Sequence, residues 1–138
     1  MNVLVDTPVW SLVLRRQRSK LGSTETVLSD AMRELIREGR VLLIGPIRQE
    51  LLSGIRDAVQ FSRIRDVLRA LPDRELRTAD FERAAEMSNA CRQNGIATSS
   101  VDMLICAVAE VAKAPIFSTD AAFSRYSRVL SLATFTPK

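Results

Sequence analysis

The sequence predicts an α/β fold in which a parallel sheet is covered by helices on both faces. Two observations lead there. Short apolar runs alternate with longer segments of helical periodicity along the whole chain, the pattern of sequential βα units. The chain has 138 residues, 46% of them hydrophobic, which makes it globular rather than disordered and long enough for a real core. No internal repeat, low-complexity tract or long linker interrupts it, so a single domain over residues 1–138 is the economical reading.

Asn2–Val5 reads as the first strand and ends at Asp6. Thr7-Pro8 then opens a helix, with Thr7 as a candidate cap and Pro8 in the first position, and Trp10 reads as core packing by that helix. Arg15 to Gly22 is basic and polar, a loop or helix end. Ser23–Glu38 is an amphipathic helix with Val27, Leu28, Ala31, Leu35 and Ile36 on one face, stopped by Gly39. Val41–Ile44 is the second strand. Gly45-Pro46 breaks it and opens a helix holding Ile47, Glu50, Leu51 and Ile55. Ala58–Leu71 is helical and closed by Pro72. Leu76 marks a short third strand, and Asp80–Asn94 a helix that ends at Gly95. Ser99–Lys113 is the most apolar helix. Pro115–Ser118 is a strand ending at Asp120, Ala121–Tyr126 a short helix, and Val129–Phe135 the last strand.

Composition removes several classes of function. There is no histidine, which excludes His-based catalysis and His-metal sites. No apolar run reaches the ~20 residues that a membrane span needs. The start, MNVLVDTPVW, has neither a basic leader nor a cleavage site, so a cytoplasmic location is expected. Cys91 and Cys106 lack metal-ligand or redox spacing and read as reduced packing residues. No Gly-rich loop follows the first strand, so no nucleotide cofactor is expected. The net charge is +4, and all but three of the twenty basic residues are arginine. Solvated helix faces account for such charges, and arginine forks also match the oxygens of a polyanion.

In open parallel sheets, sites form beyond the carboxyl ends of the strands. Asp6 and Asp120 lie at such ends. Glu50 lies in the first turns of the helix after the second strand, and Asp102 in the first turn of the apolar helix. Asp6 and Asp120 also suit helix caps. Glu50 also suits the positive end of a helix, for about 0.3–1 kcal/mol, and Gly54 one turn on leaves space beside it. Asp102 is harder to explain that way. Ile105, Cys106 and Ala109 share its face, and Ser99 or Ser100 is available as the cap. A buried carboxylate without a partner is costly, so an arginine or a bound cation should compensate it. Four converging carboxylates with no histidine and no assured lysine repel one another. A divalent cation resolves that conflict, because Mg²⁺ and Mn²⁺ take oxygen ligands, lower the pKa of a bound water and stabilise charge on a phosphate.

Four segments, VDTPVW, IRQELLSGI, SSVDMLICAVAEVA and IFSTDAAFSRY, follow one another from end to end of the chain. In them the sequence resembles the PIN domain family and, within it, the VapC-type toxins of bacterial toxin–antitoxin pairs. The resemblance implies a three-layer α/β/α sandwich around a five-stranded parallel sheet. It implies that Asp6, Glu50, Asp102 and Asp120 are the catalytic and metal-ligating acids. Asp6 and Asp102 would be the principal ligands of Mg²⁺ or Mn²⁺, and Glu50 and Asp120 would complete the pocket. Thr7 and Ser118 fall where the family often has small hydroxyl residues, behind the ligands. The implied activity is that of a metal-dependent endoribonuclease, commonly a homodimer, silenced by a cognate antitoxin. Arg15, Arg16 and Arg18 past the first helix, and Arg48 near Glu50, are candidates to contact the RNA backbone, against the plainer reading of solvated charges. Two rival readings remain open. One is the same fold with an inactive acidic pocket that binds nucleic acid or a partner protein. The other, a phospho-accepting signalling domain, would want an acid beside Asp6, an aspartate after the third strand and a lysine after the fifth; Asp6 has no acidic neighbour, the weak strand near Leu76 has no aspartate, and no lysine follows the fifth strand until Lys138.

Overall fold

Three consecutive apolar residues, Val3, Leu4 and Val5, form the central strand β1 (Val3–Val5) and are wholly buried, as expected of a strand covered on both faces. The structure, a computed structural model, describes residues 1–137. β1 pairs in parallel with β2 (Val41–Leu42) through Val3↔Val41 and Leu4↔Leu42. On its other side it pairs in parallel with β3 (Ile116–Phe117) through Leu4↔Ile116 and Val5↔Phe117, giving the order β2-β1-β3. The helices are α1 (Thr7–Leu14), α2 (Ser23–Arg37), α3 (Gly45–Leu52), α4 (Ala58–Arg69), α5 (Thr78–Gln93), α6 (Ser100–Ala112) and α7 (Ala122–Tyr126). The chain crosses the sheet one way from β1 to β2, and the other way from β2 past β1 to β3. Right-handed crossovers of opposite direction place helices on both faces. In keeping with this, α1 packs on α2, while α5 packs on α6 and α6 on β3. α3 follows the edge strand β2 and packs against α1, and α4 packs against α3.

The parallel sheet is present, but three strands form among the described residues rather than five. Leu76 makes no strand; near it the Arg74 N–H donates to the Leu43 carbonyl, just past the end of β2, at 2.7 Å. The expected last strand fails for a different reason. Val129 and Leu130 still donate to the Tyr126 carbonyl in the turn after α7, so the chain extends only later. Thr134 then bridges to Ile116 in parallel, held by Ile116 N–H to Ala133 O and Phe135 N–H to Ile116 O, both 2.9 Å. Because β3 itself has two residues, it offers a neighbour little to pair with.

The apolar helix behaves as its composition demands. Residues 103–109 of α6 are all buried, and Cys91 and Cys106 are both free and buried. Trp10 is fully buried and donates its indole N–H to the Val5 carbonyl at 3.1 Å. Two local expectations change. The cap of α1 is Asp6, not Thr7. The buried face of α2 runs through Ser29, Met32 and Leu35, leaving Val27 about half exposed at 47%. Gly54 has φ +86° after α3, and a Cβ there would meet nothing within 4 Å. Its role is therefore the left-handed turn, not space for Glu50. Among the described residues, no helix is long and apolar enough to cross a membrane.

Candidate active site

The register of β1 and β3 builds the centre of the site. Val5 pairs with Phe117, so the next residues, Asp6 and Ser118, stand side by side at the carboxyl ends of adjacent strands. The Ser118 hydroxyl donates to Asp6 Oδ2 at 2.7 Å, and the Thr7 N–H donates to Asp6 Oδ1 at 2.8 Å. Both carboxylate oxygens thus have a protein donor while Asp6 is only 6% exposed. Burial pushes the Asp6 carboxyl above its ordinary value. The Ser118 and Thr7 hydrogen bonds pull against that, and the negative charges of Asp102 and Glu50 add to it. Three of the four predicted acids therefore share one field.

Asp120 joins through Ser118. Its N–H donates to the Ser118 hydroxyl oxygen at 3.0 Å, and its Oδ1 accepts from the Ala122 N–H at 2.9 Å. The last bond has the form of a cap at the start of α7, and Asp120 is otherwise exposed. Glu50 is exposed in the second turn of α3, whose first turn holds no acid, so complementing the helix dipole does not explain it.

Asp102 has the partner its apolar surroundings call for, but that partner is neither an arginine nor a lysine. Ser99 is the cap of α6, accepting from the Asp102 N–H at 3.1 Å. That leaves the carboxylate free, and the buried Tyr126 hydroxyl donates to Asp102 Oδ2 at 2.6 Å. Burial, with this bond and the Asp102 charge, holds the Tyr126 phenol well above the ordinary tyrosine value. One turn further along α6, the Cys106 thiol is pushed up to about 12, by burial first and then by the Asp102, Cys91 and Asp6 charges. It is a packing thiol, not a nucleophile. Sequence reasoning missed Tyr126, since nothing in its local pattern sets it apart from an ordinary core aromatic on a short helix.

No arginine or lysine forms an ion pair with Asp6, Glu50, Asp102 or Asp120 among the described residues, although arginines pair with many acids elsewhere. Nor do three or more acidic or cysteine side chains close into a ready-made metal cage there. The Thr7 hydroxyl, beside Asp6 in the chain, is buried without any hydrogen-bond partner. An oxygen-only donor set, like charges without a counter-charge and an orphaned hydroxyl fit a cation held by one or two carboxylates with water completing its shell. Mg²⁺ prefers that arrangement over an all-protein cage.

The PIN domain family model matches residues 3–129. The chain belongs to the PIN-domain family. Its curated relatives place it within the VapC branch of that family. It is 30% identical over 134 residues to the VapC ribonuclease Mb1587 of Mycobacterium bovis, covering 94% of this chain and 95% of that one. The same figures hold for Ribonuclease VapC11 of Mycobacterium tuberculosis. The fold matches FitAcB from Neisseria gonorrhoeae with a TM-score of 0.74 at 19% identity, over 98% of this chain and 97% of that chain. It matches VapBC2 from Rickettsia felis, solved bound to a DNA fragment from their promoter, with a TM-score of 0.75 at 15% identity and 98% coverage of both.

Around the acids of this PIN domain, the arginines singled out in the sequence divide. Arg48 is engaged by the protein itself. Its guanidinium donates to the Leu68 carbonyl and to Asp73, each at 2.9 Å, and to the Leu71 carbonyl. Arg16 pairs with Glu25 at 3.0 Å, and Arg18 pairs through both nitrogens with Asp30. Arg15 is exposed and forms no ion pair among the described residues.

Proposed function

We propose that this PIN domain is a metal-dependent endoribonuclease and the toxin of an antitoxin-controlled pair. The observation that carries the reading is the shared field of Asp6, Asp102 and Glu50, with no arginine or lysine paired to them among the described residues. The ribonuclease names of the curated relatives support RNA as the substrate. The VapBC2 likeness supports an antitoxin of the VapB kind as the partner, and the proposal includes a homodimer as the working assembly.

In this reading Asp6 and Asp102 hold the ion, Mg²⁺ or Mn²⁺, and Glu50 and Asp120 complete its surroundings. When bound, the ion would lower the pKa of a water and offset charge on the phosphate in the transition state. The residues supply position. Ser118 and the Thr7 N–H fix the Asp6 carboxylate. Tyr126 fixes one oxygen of Asp102 and leaves the other open. Glu50, exposed and in no ion pair among the described residues, would orient the attacking water or accept its proton. Buried apolar residues of α6 form the floor behind these groups.

The test strips the protein with a chelator, incubates it with a mixed RNA pool and restores Mg²⁺ or Mn²⁺, with Asp102→Asn alongside. Cleavage should require the ion and fall by a hundredfold or more in the variant, on the scale of losing one electrostatic stabiliser, while circular dichroism shows an intact fold. Absence of both cleavage and calorimetric cation binding would leave the rival reading, an inactive pocket that binds nucleic acid or a partner.

A further inference from the structure

Arg125 and Arg128 form no hydrogen bond or ion pair through their guanidinium groups among the described residues, and both are exposed. They line one cleft of about 420 Å³, together with Val129 and residues 94–97 of the loop between α5 and α6. No acid lines it. Its position follows from the chain. The loop runs directly into Ser99 and the first turn of α6, which carries Asp102, and the arginines flank Tyr126, whose hydroxyl is bonded to Asp102. The cleft therefore opens between the loop that leads into α6 and the end of α7, the helix whose Tyr126 is bonded to Asp102.

We propose that this cleft is a phosphate-binding subsite for the RNA strand, taking a phosphodiester outside the one that is cut. The inference rests on the nuclease reading above. A polyanion approaching three like-charged carboxylates is repelled unless positive charge meets it nearby. Arg125 and Arg128 supply that charge on the side of Asp102, in a form that binds phosphate oxygens bidentately. Of the four arginines singled out in the sequence, three are already engaged: Arg16, Arg18 and Arg48 are held by Glu25, Asp30 and Asp73, and Arg15 alone is left without an ion pair among the described residues. An acidic peptide would meet the same guanidinium groups, but a nucleic acid strand led into the acid pocket necessarily carries phosphates on either side of it.

The experiment measures binding of a labelled, mixed-sequence single-stranded oligoribonucleotide by fluorescence anisotropy, in chelator so that no strand is cut, over a range of salt. Arg125→Gln/Arg128→Gln is compared with wild type and with Arg56→Gln/Arg63→Gln, which removes the same charge elsewhere. The cleft variant should bind about tenfold more weakly and lower the slope of log affinity against log salt by roughly 1.4, the value for two contacts on a single strand. The control should stay close to wild type. Arg125→Lys/Arg128→Lys should restore most of the slope, which a merely misfolded variant would not predict. Equal behaviour of the two glutamine variants overturns the subsite. So does loss of binding to a poly-glutamate peptide with RNA binding unchanged, which would make the cleft a peptide site. If wild type cuts RNA when Mg²⁺ is restored and the cleft variant binds and cuts as well, the subsite alone falls. If wild type neither binds nor cuts, the nuclease reading falls and takes the subsite with it.

Discussion

Tyr126 is the only tyrosine of the chain, so ultraviolet absorbance reads its ionisation without ambiguity. Burial and the bond to Asp102 both favour the neutral phenol. A pKa raised in the folded state means that the contribution to stability is complete below the unfolded value of about 10 and is lost as pH rises through the folded value. The folded protein should therefore show no phenolate at pH ~10, where half of an ordinary tyrosine has ionised. A titration with ordinary midpoint in folded protein would show that the Asp102 bond is not held in solution. Asp6 runs the opposite way for the fold. Its raised value means that the ionised form is the one the buried site disfavours. Asp6→Asn in chelator should then melt a few degrees higher than wild type near neutral pH. That difference should shrink as pH falls towards about 4, where the unfolded carboxyl also takes its proton. Thermal melts at two pH values check it.

At the scale of elements, Arg48 illustrates how a charge near a site serves the scaffold. From α3 it reaches across to the Leu68 carbonyl in the last turn of α4, and to the Leu71 carbonyl and Asp73 beyond it, at the helix end where the dipole favours a cation. Arg48→Ala should cost about 1.5–3 kcal/mol in urea unfolding, the range for hydrogen bonds to charged groups, and leave the salt slope of RNA binding unchanged. In sequence, Arg48 could be read only as a charge near Glu50, because its partners lie 20 to 25 residues away. The long helices were legible, since their apolar periodicity is local: α6 differs from its expected span by one residue at each end. The rotation of α2 was not. Val27 shares the apolar stripe, yet tertiary packing selects Ser29 and Met32 for the interior.

For the whole molecule, the order of strands and helices and the clustering of acids at the strand ends could be anticipated, because alternation and the carboxyl-end rule are global. The number of strands could not. Leu76 and residues 129–135 have the apolar content of strands, but whether they pair depends on neighbours that local pattern does not reveal. The hydroxyls escaped the same way: Ser118 was placed by resemblance alone, and Tyr126 was unseen. A bound ion couples these parts thermodynamically, since a ligand taken only by the folded state stabilises it by about 2.7 kcal/mol at a hundred times its Kd. Saturating Mg²⁺ should thus raise the melting temperature of wild type and leave that of Asp102→Asn nearly unchanged, as read by calorimetry.

The bond from Ser118 to Asp6 closes a loop of 112 residues, and the one from Tyr126 to Asp102 waits for a residue later still. Ribosomes deliver Asp6 long before either of these two hydroxyls. A half-made chain therefore carries acids that nothing yet holds in place. For a ribonuclease synthesised amid messenger, transfer and ribosomal RNA, the order of assembly delays the site: Asp6 meets its hydroxyl partner only after the 112 residues that follow it have been made.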